Sequence, residues 1–420
     1  PLQKDAVWFS LQRAATLVGD EVGLGKTLTA IIAVMEAIRL GSAHKSLLVV
    51  PNHLTEQWRD AFLLAYPNAN VLCAGKDDLS KSKRREFMSR IATGRWDAVI
   101  VPQSSFKMLP VKPDTLNKFV EEELEELRDF LQRIKAEKEV DNRARKQIEK
   151  AIKRFEAKLI NKSEMDKDSA DTITWDEMGI DMLVVDELHM FKNLFFHSKM
   201  TRIAGLPNTD SQRAFDMFVK VRDLMQRGGR FMGLTGTPIS NTMAETFTLQ
   251  RYFSYDQLVE MGLSHFDSWA QMFADVVMMP EMTPDGSGFR VNTRLARFSN
   301  IPELSAMLSQ FMILRRFKDV NGQVDRPHLY GDKPTAVKIP GSRQLKEYVK
   351  LLAKRAEDVR GGQVDPRDDN MLKIVGDGRK AALDLRLAIP GMADISLSKI
   401  NVSTQSIAAI YHHTGERKPA

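Results

Sequence analysis

A single cysteine, Cys73, stands in 420 residues. Neither an intrachain disulfide nor a cysteine-rich zinc site is therefore available, and a reducing compartment is the natural reading. No apolar run reaches membrane-spanning length and no signal peptide is present, so no membrane partner is expected. Internal repeats and low-complexity tracts are also missing. Charge is nearly balanced, with 61 Lys and Arg against 55 Asp and Glu, a net of +6 that is compatible with a polyanionic partner without demanding one. What is there is ordinary globular material: 43% hydrophobic and 28% charged residues exclude wholesale disorder, in a chain long enough for two or three domains. The chain begins at Pro1, already inside a helical pattern, which reads as part of something longer.

From Ala14 to Val101 short apolar runs alternate with amphipathic stretches, the pattern of a parallel sheet covered by helices. ATLVGD reads as a strand entering a loop, Lys26 to Leu40 as a helix and SLLVV (Ser46 to Val50) as a buried strand. His53 to Ala65 reads as a helix, and NVLCA (Asn70 to Ala74) and DAVIV (Asp97 to Val101) as further strands. Two more strands are expected in DMLVVDE and RFMGLTGT, from Asp181 and Arg230. Between DAVIV and DMLVVDE, Pro113 to Lys167 is densely charged, with Leu116, Phe119, Val120, Leu124, Leu127, Leu131 and Ile134, then Ile148, Ile152, Phe155 and Leu159, at helical spacing. Two antiparallel helices turning near Asp141 and Asn142 fit this pattern, as a solvated hairpin packed on the lobe or as a DNA or partner contact. Past Tyr255 the pattern weakens. TPDGSG (Thr283 to Gly288) resembles a hairpin turn, and Arg343 to Asp358 a helix.

Three short segments carry chemistry. Asp20, Glu21, Val22, Gly23, Leu24, Gly25, Lys26 and Thr27 lie between a strand and a helix. Glycines there let main-chain amides converge on phosphates, Lys26 can reach the β- and γ-phosphates, and Thr27 can offer its hydroxyl to Mg²⁺. The strict GxxxxGK(S/T) form fails, because Asp20 occupies its first glycine. Val184 and Val185 lead into Asp186 and Glu187; beside a nucleotide the first carboxylate orders Mg²⁺ and the second acts as general base on the attacking water. A helix-capping acidic pair on a surface turn is the plain alternative. LTGTP (Leu234 to Pro238) sets Thr235, Gly236 and Thr237 at another strand end, where they can sense the γ-phosphate or simply end a strand.

Together these segments resemble helicase superfamily two, and within it the Swi/Snf-type translocases of double-stranded DNA. DEVGLGKT differs by one residue from that branch's DEMGLGKT, which accounts for Asp20. LLVVPNHLTEQW (Leu47 to Trp58) is similar to its motif Ia, DELHMFKN (Asp186 to Asn193) to its DEAH-x-x-KN element with Leu188 at the usual small position, and LTGTPISN (Leu234 to Asn241) to motif III. FMILRRFKDV and SRQLKEYV (Phe311 to Val320, Ser342 to Val349) resemble its FxLRR and Q-x-x-x-Y elements, and Gln3 stands where an adenine-reading glutamine would. The resemblance implies an ATP- and Mg²⁺-dependent motor on duplex DNA, with catalytic Lys26, Asp186 and Glu187, Mg²⁺ held through Thr27 and Asp186, and coupling through Thr235, Gly236 and Thr237. Backbone contacts to DNA would come from Pro51, Asn52, His53, Gln103, Ser104, Ser105, Lys192 and Asn193. The expected fold is α/β, a RecA-like P-loop NTPase lobe in 1–112 and 171–255, with a helical insertion in 113–170. Residues 256–420 would be a mixed helical linker leading toward a second lobe.

DNMLKIVGDGRKAALDLRL (Asp369 to Leu387) and TGTPISNTMAETFTLQRY (Thr235 to Tyr252) more narrowly resemble the helicase portion of the methylase-helicase proteins of bacteria, phages and conjugative elements, including the DarB-type antirestriction proteins. That implies a cytoplasmic protein, or one in the host cytoplasm or virion if phage-encoded, acting beside a DNA methylase. No NPPY-type methylase motif is present, and neither is the second-lobe motif QxxGRxxRxGQ. Without a trans arginine, hydrolysis is expected to lose about 10³ or more in rate. Arg315, Arg316 and Arg386 could substitute, although the resemblance assigns the Arg315–Arg316 pair to the linker. The alternative function is a nucleotide-gated DNA-binding scaffold that does not hydrolyse ATP. Adjacent His412 and His413 lack metal-ligand spacing and read as a surface pair, and Cys73 reads as core.

Overall fold

A computed structural model describes residues 2–75, 78, 80, 82–136, 142–160, 173–198, 200, 203–204, 211–240, 242–282, 289–320 and 335–413. Asp141, Asn241 and the TPDGSG turn lie outside them. Among these residues the strands run β1 (Ala15–Val18), β2 (Ser46–Val50), β3 (Val71–Cys73), β4 (Ala98–Pro102), β5 (Met182–Val185), β6 (Ile203–Ala204), β7 (Arg230–Leu234), β8 (Ala274–Met282), β9 (Phe289–Phe298) and β10 (Met312–Ile313).

Seven strands form one sheet in the order β10-β1-β7-β5-β2-β4-β3, and every pair in it is parallel. The fold is α/β, as the alternating pattern predicts. Alternation along each strand divides the core into two layers. Leu47 and Val49 join one buried cluster with Leu17, Val99, Val101, Leu183 and Val185. Leu48 and Val50 join the other, with Val18, Ile100, Val184 and Leu234. Both faces are therefore covered, which is why these strands read as unbroken apolar runs. Each such side chain contributes about 1.5–3 kcal/mol by burial.

Register brings the strand ends level. Val18 lies opposite Leu234, Gly233 opposite Val185, and Val185 opposite Val49. The residues that follow emerge side by side at the carboxyl edge, where ligands bind in open parallel sheets. β3, at the outer edge, is only three residues long, shorter than the NVLCA run predicts. Cys73 at its end is half-buried, with Sγ 3.7 Å from the Thr55 carbonyl oxygen.

The charged segment forms helices Pro113–Ala136 and Asn142–Ile160. Phe119, Val120, Leu124, Leu127, Ile148, Ala151 and Phe155 of this pair enter the same apolar core as the sheet. A buried hydrogen bond adds to the join: Arg251 Nη2 donates to Glu123 Oε1 at 2.9 Å. Tyr255 donates its hydroxyl to Glu126 Oε1 at 3.1 Å.

Two compact units divide the chain, 1–279 with 291–325, and 280–290 with 326–420. The sheet, the helical pair and the β6-β9-β8 sheet of sequence order β6, β8, β9 belong chiefly to the first. The second carries helices Arg343–Arg360, Met371–Leu383 and Lys399–His413. Arg355 organises it, holding both oxygens of Asp369 (2.7 and 2.8 Å) and one of Asp377 (3.0 Å). His412 and His413 are exposed at the end of the last helix. No helix among the described residues is long and apolar enough to cross a membrane.

Candidate nucleotide site and nucleic-acid edge

Three neighbouring strands, β1, β7 and β5, deliver the phosphate loop, the LTGTP turn and the Asp186–Glu187 pair to one place. The helix Lys26–Arg39 follows β1 and starts from Gly25, whose φ of 80° and ψ of 32° lie in the left-handed region that favours glycine. No side chain caps this helix, and no acidic residue sits in its first turn. Its leading N–H groups and its positive dipole end are thus left for an anion. Gln3 closes one side, donating from Nε2 to the Leu24 carbonyl at 3.2 Å.

Lys26 Nζ rests on the loop's own carbonyls, Asp20 O at 2.8 Å and Glu21 O at 3.3 Å. Burial pushes its ammonium below the ordinary lysine value, opposed by the carboxylates of Glu187, Asp186 and Asp20. Asp186 moves the other way. Burial, then the charge of Glu187, raises its carboxyl against a main-chain bond from Glu187, an indole bond from Trp58 and the charge of Lys26. A buried Asp186 with the half-exposed Glu187 next to it, beside an uncapped helix start, has the chemistry to take a divalent cation and phosphates. A cation there would favour the ionised Asp186 that burial disfavours.

Glu187 is held at φ 51° and ψ 50°, one of two non-glycine residues with positive φ among the described residues. Its Oε2 lies 3.0 Å from His189 Nδ1, and the same nitrogen is 3.2 Å from Thr235 Oγ1. The Thr235 hydroxyl accepts from the Thr237 N–H at 3.1 Å. One imidazole therefore links the carboxylate loop to the LTGTP turn. Gly236 brings that turn against the phosphate loop: a Cβ there would stand 2.8 Å from Val22 Cγ2 and 3.7 Å from Lys26 Nζ.

Residues 8–316 match the family model described as Probable helicase domain, which is most of the chain. The chain belongs to this helicase family. Defense against restriction protein B of Escherichia phage P1 is 22% identical over 386 residues, covering 80% of this chain and 17% of that protein. The helicase domain thus spans about a sixth of the length of that relative. Among solved structures, the Sulfolobus solfataricus SWI2/SNF2 ATPase core in complex with dsDNA aligns with a TM-score of 0.40 and 17% identity, over 99% of this chain and 64% of that one.

Away from the phosphate loop, β2 and β4 are adjacent in the helicase domain and carry the candidate nucleic-acid contacts. Asn52 Oδ1 accepts from the Ser104 N–H at 3.1 Å, joining the two strand-end turns. Asn52, His53 and Ser104 are exposed, while Pro51 and Ser105 are half-buried. Gln103 is placed otherwise than the resemblance implies. It is buried, and its Nε2 donates to the Asp186 carbonyl at 2.7 Å, so it supports the carboxylate loop instead of facing a partner. Lys192 is also committed, 2.8 Å from Glu245 Oε1 and 2.9 Å from Ser240 Oγ. Asn193 is exposed.

Arg315 and Arg316 do not stand free at the nucleotide side. Arg315 forms a two-pronged pair with Asp20, and Arg316 lies 3.3 Å from Asp319. Arg386 belongs to the second unit, where it pairs with Asp384 and Asp394. Sequence reasoning passed over Trp58, whose Nε1 donates to Asp186 Oδ2 at 3.2 Å, along with His189 and Glu245. Trp58 closes the LLVVPNHLTEQW segment and His189 lies inside DELHMFKN. Those two positions were therefore visible, while their contacts were not.

Proposed function

We propose that this helicase domain is the ATP-binding part of a DNA-directed motor that moves along duplex DNA, within a larger protein of DNA modification, restriction or antirestriction. The observation that carries the reading is the convergence of Lys26, Asp186, Glu187, Thr235 and Gly236 at the level ends of β1, β5 and β7, beside an uncapped helix start. Residues 1–112 and 171–255 act as the ATP-binding lobe, 113–170 as an insertion, and 256–420 as the linker region toward a second lobe.

In this reading Gly23, Gly25 and the first turn of helix Lys26–Arg39 cradle the phosphates, and Lys26 swings from the loop carbonyls to their negative charge. Thr27 and Asp186 would hold Mg²⁺, which supplies charge neutralisation to the phosphates. Glu187 takes the proton from the attacking water as general base. His189 and Thr235 tie the position of that carboxylate to the LTGTP turn, while Lys192 and Glu245 fix the far end of the turn through Ser240. Asn52, His53 and Ser104 meet the DNA backbone, so binding has little sequence preference and falls steeply with salt.

Arg315 is held by buried Asp20, and Arg316 stands in an exposed pair with Asp319 in the segment the resemblance gives to the linker; in this reading the arginine for the developing phosphate charge comes from elsewhere in the larger protein. Alone, the domain binds ATP better than it hydrolyses it, by the factor of about 10³ or more that such an arginine supplies. This favours, as second reading, a nucleotide-gated scaffold for the isolated domain. Steady-state ATPase with and without duplex DNA, in a protein carrying the second lobe, separates the two. The motor reading expects DNA stimulation that Glu187→Gln abolishes; a wild-type rate indifferent to DNA would refute it.

A further inference from the structure

Segment 311–320 lies along the phosphate loop and bonds to it repeatedly. Gly19 N–H donates to the Ile313 carbonyl at 2.8 Å, Glu21 N–H to the Arg315 carbonyl at 2.9 Å, and Phe317 N–H to Glu21 Oε2 at 2.8 Å. The Arg315 guanidinium grips Asp20 with two nitrogens, Nε to Oδ1 at 3.0 Å and Nη2 to Oδ2, and reaches the Leu2 carbonyl with Nη1. Asp20 is fully buried, so this pair is shielded from water and from salt. Phe317 stands over the loop, its Cζ 3.4 Å from where a Cβ on Gly23 would be. Val320 completes a small apolar cluster with Leu2 and Leu24.

We propose that Arg315 is a positioning residue for the phosphate loop, and that the strap 313–320 is the element through which occupancy of the loop is passed onward along the chain. The loop's main chain must hold its amides convergent before phosphate arrives, and carbonyls of Asp20 and Glu21 already face Lys26. A two-pronged grip on Asp20 fixes that stretch at its start, while Phe317 N–H fixes Glu21 next to it. Four contacts join the same short segments, so movement of residues 20–24 on binding has to be met by movement in 313–320. Linkage makes this reciprocal: what the strap does changes affinity at the loop by the same factor. The inference rests on the nucleotide-binding reading above.

Two measurements on the whole chain test it: calorimetric titration with ATP and Mg²⁺, and hydrogen exchange by mass spectrometry over peptides covering 19–27, 311–320 and 46–50. Arg315→Gln is expected to raise Kd at least tenfold and to speed exchange in 19–27 while 46–50 stays protected. Arg315→Lys, which keeps the charge but loses the fork on Asp20 and the bond to Leu2, should raise Kd by less than Arg315→Gln while still speeding exchange in 19–27. Arg230→Gln is the structural comparator. It loses main-chain bonds to Ser10, Leu11 and Arg13 at the opposite end of β7, and should lower Tm without changing Kd. In the wild type, ATP should slow exchange in 311–320 as well as in 19–27. Should Arg315→Gln fail to fold, Asp20→Asn, which keeps the Arg315 bond to Leu2, carries the same expectations. A folded Arg315→Gln with wild-type Kd and wild-type exchange in 19–27 overturns the positioning role, and ATP protection confined to 19–27 overturns the relay. Were the wild type to bind no ATP, the nucleotide reading would fail on its own. The grip would then stand or fall on exchange in 19–27 of the ATP-free Arg315→Gln protein.

Discussion

Replacing Glu187 by asparagine should make the domain more stable while removing its hydrolytic chemistry. The left-handed backbone at Glu187, φ 51° and ψ 50°, costs a residue with a Cβ roughly 1–2 kcal/mol. Asparagine tolerates that region far better than glutamate, which recovers about 1 kcal/mol of the strain. Glu187 also raises the Asp186 carboxyl by its charge, a repulsion that asparagine removes. Against this stands the contact with His189 at 3.0 Å, in which the two side chains are 30% and 35% exposed. Exposed pairs of that kind are worth about 0–1 kcal/mol. The balance is a gain of about 1 kcal/mol for Glu187→Asn, with a smaller gain for Glu187→Gln, which relieves charge but not backbone. Urea unfolding followed by tryptophan fluorescence reads this cleanly, because Trp8, Trp58, Trp96, Trp175 and Trp269 all lie in the unit that holds the sheet. A Glu187→Asn protein less stable than wild type by about 1 kcal/mol or more would refute the reasoning. Strain here would then be unreal or offset by contacts of greater worth.

Two titratable side chains that line one cavity give opposing pH dependences. Burial pushes Glu123 up to about 7 from 4.5, against the pull of Arg251, and pushes His197 down to about 3 from 6.5, helped by the charge of Arg251. Between pH 4.5 and 7 the native state holds a proton on Glu123 that the unfolded chain has lost, so this group makes stability fall as pH rises, by about 3 kcal/mol in all. Between pH 3 and 6.5 the unfolded chain binds a proton that half-buried His197 refuses, so this group makes stability rise with pH, by about 5 kcal/mol. The slopes offset each other from 4.5 to 6.5 in the wild type. Relative to it, His197→Phe should lose stability with rising pH up to 6.5, and Glu123→Gln should gain it up to 7; urea midpoints across this range that parallel the wild type would contradict both assignments. Gly233 makes room for Leu188, since a Cβ there would stand 2.6 Å from Leu188 Cδ2 and 2.8 Å from Phe253 Cζ. Gly233→Ala should therefore destabilise by about 1–3 kcal/mol, and Leu188→Ala should restore part of that loss in the double variant, as thermal melts would show.

Strand content was legible because burial of both faces leaves unbroken runs such as Leu47 to Val50, and the phosphate loop because its glycines, lysine and threonine are adjacent in sequence. Their convergence was legible only through motif order, since neighbouring strands β1, β7 and β5 are far apart along the chain. Contacts between distant side chains leave no periodicity. Nothing local marks Arg315 as the partner of Asp20, Glu245 as the partner of Lys192, or Gln103 as a buried donor to the Asp186 carbonyl. The helical pair reads as a solvated hairpin packed on the lobe, or as a DNA or partner contact, and its apolar stripe joins the main core. The contact of Glu123 with Arg251 leaves no mark in the sequence. Left-handed backbone at Glu187 is equally silent, because glutamate carries no preference for it.

The central claim is that the level ends of β1, β5 and β7 bind ATP with Mg²⁺ through Lys26 and Asp186, and equilibrium titration tests it most directly. Calorimetry with ATP, in the presence and absence of Mg²⁺, should show saturable one-site binding to the wild-type chain. Lys26→Ala should weaken that binding at least tenfold, and Asp186→Asn should remove its dependence on Mg²⁺. A wild-type chain that takes up no ATP, or a folded Lys26→Ala chain that binds as tightly as wild type, would contradict the account.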